Sequence, residues 1–386
     1  MFLELHMLQN FAPSNLNRDD TNSPKDCEFG GHRRARISSQ CLKRAIRTEF
    51  KNDDLLTPAD LASRTKRVLE ALTERLVGRG HEEGEADRVA TLALAGLKLK
   101  VDERTGKTQY LLFLAQREID GLASVMDAHW TELVDLAAPT AADGPAKSAR
   151  AAKAAGKEKL PAEVVSALER VLDGGRAADL ALFGRMLADL PDRNVDASCQ
   201  VAHAISANAV APEFDFYTAV DDLKPDDTSG ADMLGTIEFN SACFYRYANL
   251  DVSQLRENLG GDEDLARRTI EVFVRASVRA VPTGKQNSMA AHNPPSLICA
   301  VVRKSGLQNL ANAFVGPVRA NRDGDLIENS VRGLNDYRGR LQAAYESDGV
   351  EGAWVVSLGD APVDHLGARV TAVSELISNA VQAAVA

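Results

Sequence analysis

Residues 29–47 of the chain read Phe29-Gly30-Gly31-His32-Arg33-Arg34-Ala35-Arg36-Ile37-Ser38-Ser39-Gln40-Cys41-Leu42-Lys43-Arg44-Ala45-Ile46-Arg47. A Gly-Gly turn leads into an extended, arginine-rich piece, and two serines then precede a helical pattern. Residues 33–47 carry six positive charges and no acid, whereas the whole chain has a formal net charge of −10. A compact basic segment on an acidic protein predicts a local anion site, for which a nucleic-acid backbone is the natural ligand.

The helical pattern that starts near residue 39 separates two faces. The apolar stripe consists of Leu42, Ala45, Ile46 and Phe50. The polar stripe, spaced i, i+3, i+4 and i+7, consists of Gln40, Lys43, Arg44 and Arg47. Ser38 or Ser39 is the predicted N-cap. Free N–H groups, the positive end of the helix dipole and basic side chains together predict a phosphate site at the helix start, with a solvated charged face as the alternative.

Composition limits the other classes of function. The chain has 386 residues, of which 45% are hydrophobic, enough for two or three domains. No apolar run approaches the roughly 18 residues of a membrane span, and the first residues do not form a signal peptide, so neither membrane nor export is expected. Five scattered cysteines without CxxC spacing predict no disulfide framework and no zinc site. We expect a cytoplasmic protein that holds no metal and no cofactor.

The first half of the chain changes character several times. Residues 1–9 read as a buried strand, 10–32 as a loop, and 58–135 as mainly helical, with a short strand at 110–114 and one helix at 116–136. Residues 137–159 hold ten alanines in 23 positions and predict a mobile linker or solvent loop, with an Ala-rich helix as the alternative.

The second half mixes strands and helices without a regular repeat. Residues 179–186 read as a strand and turn, and 212–247 as a long hairpin whose polar tip at 221–232 should project. Helices at 263–280 and 370–385 flank a strand at 297–302. The absence of a βαβ repeat favours an α+β fold over a doubly wound sheet.

No catalytic constellation is found in the sequence. Residues 105–108 resemble the end of a phosphate-binding Walker A loop, but Val101 stands where the first glycine is required. His32, beside Arg33, could act as a general base in RNA cleavage, although nothing identifies its partner. We therefore expect a binding protein and no enzyme.

Several of these segments resemble one known family. Residues 15–20, 29–31, 36–40 and 42–45 are similar to the N-terminal signature of the CasC-type backbone subunit of the type I-E Cascade, a CRISPR surveillance complex. Residues 194–197, 201–204, 218–223, 234–236, 244–249 and 311–314 continue the resemblance in the same order, whereas the helical middle and the tail match only loosely.

The resemblance implies a specific α+β architecture. A RAMP-type palm with an RRM-like (ferredoxin-like) core would comprise residues 1–57 and 181–386. Helical fingers at 58–180, carrying the low-complexity insert 137–159, would interrupt it, and a thumb hairpin at 212–238 would project from it.

The resemblance also implies a function in antiviral defence. Several copies would polymerise head to tail along one CRISPR guide RNA, and each thumb would kink the guide. The segments between kinks would pair with a target DNA strand, while other Cascade subunits complete the complex and a separate protein cleaves. The alternatives are a RAMP endoribonuclease that uses His32 on precursor RNA, and a stand-alone single-stranded nucleic-acid binder.

Fourteen guide-RNA contacts and one weaker candidate follow from this resemblance. The palm contacts would be Arg18, Lys25, Ser38, Gln40, Lys43, Arg44, Arg47, Gly284, Lys285 and Gln286. The thumb contacts would be Phe216, Tyr217, Thr218 and Val220, for which ordinary hairpin packing is the alternative at Phe216 and Tyr217. Met186 is the weaker candidate, and core packing is the favoured interpretation for it.

Overall fold

The computed structural model describes residues 1–138, 160–219, 233–322, 324–346 and 349–386. Val220, the polar tip at 221–232 and nearly all of the alanine-rich stretch lie outside the described residues, so the predictions made for them stay predictions.

Strands in the described residues are, in chain order, β1 (Phe2–Ser14), β2 (Asp26–Phe29), β3 (His32–Ile37), β4 (Ala62–Thr65), β5 (Val101–Asp102), β6 (Lys107–Thr108), β7 (Leu112–Ala115), β8 (Cys199–Val201), β9 (Ala204–Ser206), β10 (Glu213–Ala219), β11 (Met233–Asp251), β12 (Leu297–Arg303), β13 (Val350–Ser357) and β14 (Ala368–Arg369).

Helices in the same residues are α1 (Ser39–Glu49), α2 (Val68–Val77), α3 (Glu83–Gly96), α4 (Gln116–Ala128), α5 (Trp130–Ala137), α6 (Ala162–Val171), α7 (Ala178–Phe183), α8 (Val252–Asn258), α9 (Glu263–Arg279), α10 (Gln286–Met289), α11 (Leu326–Tyr345) and α12 (Val373–Val385). The expected helix near 263–280 and strand near 297–302 are confirmed.

One large sheet runs in the order β14-β13-β12-β1-β11-β9-β3-β2, with β8 and β10 also paired to β11. The central strand β1 is antiparallel to both neighbours, so that Phe2 faces Asp251 on β11 and Arg303 on β12. Two small sheets, β4-β7 and β5-β6, stand apart from it. This mixture of helices with a mainly antiparallel sheet confirms the predicted α+β class.

The chain forms two compact units, made of residues 1–53, 199–252 and 270–386 and of residues 54–198 and 253–269. These bounds differ from the expected 57/58 and 180/181. Residues 181–198 belong to the second unit because Leu187 and Leu190 lie in its core and Arg185 pairs with the buried Glu118.

Strand β1 lies in the middle of the first unit's sheet and is buried on both faces. Leu3, Leu5 and Met7 are buried on one face, and Glu4 and His6 are buried on the other. These two polar side chains have partners: Glu4 Oε1 accepts from Tyr247 Oη at 2.7 Å, and His6 Nδ1 lies 2.9 Å from Tyr245 Oη. Glu4 and His6 are therefore both hydrogen-bonded within this core.

Three local predictions were wrong. The expected loop at 10–32 contains the end of β1 and the whole of β2. Residues 178–183 form helix α7 instead of a strand, because a short, fully buried apolar run has no periodicity that separates the two structures. The single helix expected at 116–136 divides into α4 and α5 at His129, whose φ of −108° and ψ of 21° are not helical.

Candidate nucleic-acid interface

Helix α1 forms as its pattern predicted. Leu42 and Ile46 are buried, whereas Gln40 and Arg44 are exposed. Of the two candidate serines, Ser38 is the N-cap, and its hydroxyl accepts from the Cys41 N–H at 3.3 Å. Ser38 is itself buried, so its hydroxyl is used by the first turn of the helix. Lys43 and Arg47 are half-buried on the basic side of the helix.

The loop at 15–25 is fixed against the start of α1. The Asn17 Oδ1 atom accepts from the Ser38 N–H at 2.8 Å, and the Asn17 carbonyl accepts from the Lys25 N–H at 2.8 Å. Arg18 is exposed on this loop, and its Nη1 donates to Asn22 Oδ1 at 3.3 Å. The predicted contacts Arg18 and Lys25 are thereby held beside the helix.

The glycine loop at 284 packs on the same 15–25 loop. A Cβ atom at Gly284 would lie 2.4 Å from the Leu16 carbonyl oxygen and 2.7 Å from that of Asn15, so the approach requires glycine. Lys285 follows in the left-handed region with φ of 51°. The Gln286 Nε2 atom donates to the Pro282 and Ala291 carbonyls, both at 3.1 Å, and so holds the shape of this loop.

Two of the arginines in the basic run are used within the fold. Arg34 is fully buried, and its guanidinium donates to the carbonyls of Ser206, Ala207, Phe314 and Val315. Burial lowers the pKa of this guanidinium from its ordinary value. Arg33 pairs with Asp26. Gly30 sits against the Val315 carbonyl, so the Gly-Gly turn serves close packing.

Sequence reasoning missed two residues that stand at the start of α1. The Arg36 Nε atom donates to the Asp26 carbonyl at 3.1 Å, and its Nη1 lies 3.2 Å from Nδ1 of His203. The Ser39 N–H also points at that Nδ1, at 3.4 Å. Partial burial and the charges of Arg36 and Lys25 lower the pKa of His203. The pairing of β3 with β9, which brings the two together, was the missing information.

The β10–β11 hairpin confirms the two extended arms expected in this region. In its register Phe216 faces Thr236, Tyr217 faces Gly235 and Thr218 faces Leu234. Phe216 is 64% exposed and Tyr217 39%. The Tyr217 ring lies over Gly235, where a Cβ would come 2.3 Å from Cζ, so this tyrosine packs across the hairpin.

Phe214 was not among the predicted residues, although it is as exposed as Phe216 at 64%. Two residues apart on one strand, the two rings share a face of the hairpin. The alternation of residues 214, 216 and 218 along an unburied strand was the signal that could have found it.

Met186 lies in the second compact unit, directly after Arg185. Its side chain is 80% exposed, so the core packing that we favoured for it is wrong. The neighbouring Arg185 is buried instead, against Glu118 at 2.7 Å.

The described residues contain no group of three or more His, Cys, Asp or Glu side chains arranged to hold a metal ion. In the same residues no side chain bonds to the His32 ring, which is exposed at the turn between β2 and β3. Nor does any described helix have the length and apolar character needed to cross a bilayer.

A family model described as CT1975-like protein matches residues 3–383. The chain belongs to the CT1975-like family. No curated protein matches the chain.

Two solved structures are similar to this CT1975-like chain over nearly its full length. One, described as a CRISPR RNA-guided surveillance complex, pre-nicking, is 32% identical, covers 100% of both chains and has a TM-score of 0.83. The other, described as a CRISPR RNA-guided surveillance complex, is 28% identical, covers 99% of this chain and 100% of its own, and has a TM-score of 0.74. All the predicted site residues, from Arg18 to Gln286, lie inside the CT1975-like match.

Proposed function

We propose that this chain binds CRISPR guide RNA as a subunit of an RNA-guided surveillance complex. Support comes from its membership of the CT1975-like family and from the two similar structures, which belong to such complexes and match it from end to end. The similarity extends over the whole chain, so the proposal does not depend on a single motif.

The observation that carries the proposal is the meeting of three separate segments on the first compact unit. Asn17 ties the 15–25 loop to the start of α1, and Gly284 packs on Leu16 of the same loop. Arg18, Lys25 and Lys285 are thereby brought to one region together with the basic face of α1.

Such a site suits a guide of any sequence. Cations and backbone N–H groups hold phosphates, and they leave the base edges free to pair with a target. The net charge of −10 over the whole chain opposes indiscriminate binding of nucleic acid.

We further propose that the chain is the non-catalytic, type I-E-like backbone subunit, working in the cytoplasm. The order β12-β1-β11-β9, with helices α8–α10 between β11 and β12, supports an RRM-like palm. The second compact unit corresponds to the fingers and the β10–β11 hairpin to the thumb. Copies of the chain would stack along one guide, present it to a target DNA strand and meet other Cascade subunits at the ends of the stack.

The salt dependence of RNA affinity tests the site. Replacement of Lys43, Arg44 and Arg47 by alanine should weaken binding of a single-stranded RNA and lower the slope of log affinity against log salt by about 2, because each lost phosphate contact removes about 0.7. A charge-matched control replaces the exposed Lys100, Arg104 and Lys107, near β5 and β6, by alanine and should keep the slope. Equal slopes for the two variants would refute the phosphate role of α1.

Incubation with precursor RNA tests the non-catalytic assignment. We expect the RNA to remain intact with the wild-type chain. Cleavage that is lost in His32→Ala would replace the proposal with an endoribonuclease.

A further inference from the structure

His203 stands at the edge of the proposed RNA site, although no role has been given to it above. It lies between β8 and β9, and it is exposed. The pairing of β9 with β3 puts its ring beside Arg36 and in front of the first residue of α1. Desolvation and then the positive charges of Arg36 and Lys25 lower the pKa of the imidazole in this place.

The hydrogen bonds around the ring fix its tautomer. Both neighbours of Nδ1 are donors, because a guanidinium and a backbone N–H have no lone pair to offer. The Arg36 Nη1 atom lies at 3.2 Å and the Ser39 N–H at 3.4 Å. Nδ1 therefore accepts, and the proton of the neutral ring resides on Nε2.

We propose that His203 is an additional guide-RNA contact, which donates its Nε2–H to a phosphodiester oxygen. This inference rests on the proposed function. The two donors at Nδ1 orient the ring, and the opposite edge of the imidazole is left as a neutral donor beside Arg36 and Lys25. His203 adds an oriented hydrogen-bond donor to the site without adding charge, since the ring is neutral.

Neutrality gives this contact a signature that the cations lack. A lysine or arginine that binds a phosphate releases counterions and steepens the salt slope, whereas a neutral donor does not. Loss of His203 should therefore weaken binding equally at every salt concentration. Loss of Lys25 should lower the slope by about 0.7.

Three substitutions separate direct contact from support of Arg36. The Asn side chain of His203→Asn places its oxygen near the position of Nδ1 but does not reach that of Nε2, whereas the Gln of His203→Gln places its NH₂ group near Nε2. We expect His203→Ala and His203→Asn to lose about tenfold in affinity for a short single-stranded RNA, the size of one hydrogen bond to a charged group. His203→Gln should recover most of the loss.

The measurement is a salt titration of RNA affinity with the full chain, with thermal unfolding to show that each variant is folded. The contact is supported if the salt slope is unchanged and if His203→Gln binds RNA more tightly than His203→Asn and His203→Ala. Full affinity in His203→Asn, a loss in His203→Gln as large as in His203→Ala, or a lowered slope would overturn it. Wild-type chain that binds no RNA would refute the proposed function together with this inference, whereas normal binding by His203→Ala would refute the inference alone.

Discussion

Gly284 has no side chain, and this allows its loop to pack closely on the 15–25 loop. Its Cα rests on the carbonyls of Asn15 and Leu16, and a Cβ would approach the latter to 2.4 Å. We expect Gly284→Ala to destabilise the chain by about 1–3 kcal/mol through overpacking and to weaken RNA binding, because the 15–25 loop must move away. Urea unfolding and RNA titration of the same preparation measure the two effects.

Gly333 provides the matched control for that substitution. It lies inside helix α11, where an added Cβ would meet no atom within 4 Å. Gly333→Ala should raise stability by about 0.5–1 kcal/mol, since alanine has the higher helix propensity. If Gly284→Ala behaves like Gly333→Ala, the close contact between the two loops does not exist.

His6 makes stability depend on pH. Burial, followed by the charges of Arg338 and Arg303, holds its pKa well below the ordinary 6.5. As the pH falls, the imidazole of His6 therefore binds a proton in the unfolded chain but not in the folded chain. The contribution of His6 to the free energy of unfolding is complete above about pH 6.5 and declines as the pH falls below that value. By this residue alone we expect the free energy of unfolding to fall by on the order of 1 kcal/mol between pH 7.5 and 5.5.

His6→Asn isolates this contribution, because asparagine can still accept from the Tyr245 hydroxyl but does not titrate. The variant should be less stable at every pH, and its urea midpoint should fall less than that of the wild type on acidification. Parallel curves for the two proteins would contradict this account, because they would show that the pKa of His6 is the same in the folded and unfolded states.

At the scale of elements, helix α1 shows what the sequence predicts well. Its apolar spacing, a serine N-cap at residue 38 or 39 and its basic face follow from local pattern alone, and the structure has all three, with Ser38 as the N-cap. The contacts that make it a site do not follow, because Asn17, His203 and Gly284 reach it from distant parts of the chain. The sequence also could not predict that Arg34 is a buried hydrogen-bond donor, because its four carbonyl partners lie more than 170 residues away along the chain.

The β10–β11 hairpin presents two exposed rings on one face. We expect replacement of Phe214 and Phe216 by serine to leave the thermal midpoint unchanged, because both rings are exposed, and to lower RNA affinity by about 1–3 kcal/mol for each base that loses its stacking partner. The salt slope should stay constant, since no charge is removed. Unaltered affinity would mean that the rings do not meet the guide.

Arg185 and Glu118 form a buried ion pair in the second compact unit, at 2.7 and 2.8 Å. Glu118 also accepts from the N–H groups of Ala115 and Gly174. Arg185→Met should lower stability by about 3–5 kcal/mol, because it leaves the carboxylate buried without its counter-charge. Adding Glu118→Gln should restore part of the loss. If Arg185→Met alone is as stable as the wild type in urea, the result contradicts the pairing.

For the whole molecule, the boundaries of the two compact units were harder to predict than the types of their helices and strands. The first unit is built from three stretches and the second from two, and the division near residue 269 falls inside helix α9. A helix has no local signal for such a boundary, since it arises from which residues pack together. Helix α11 and strand β13 were missed because α11 buries polar Asn335 and Arg338, and β13 is mostly half-buried.

The charge distribution of the whole molecule supports the proposed local binding of a polyanion. A chain with a net charge of −10 has to concentrate its cations in order to bind a polyanion, and the basic face of α1 is such a concentration.

The most direct test of guide binding is to identify the nucleic acid that co-purifies with this chain, expressed alone and with its genomic neighbours. We predict RNA of one discrete length in a large assembly when the neighbours are present. If the chain instead carries heterogeneous RNA and joins no assembly, whether or not the neighbours are present, it is a stand-alone binder. A nucleic-acid-free monomer in both would contradict the account.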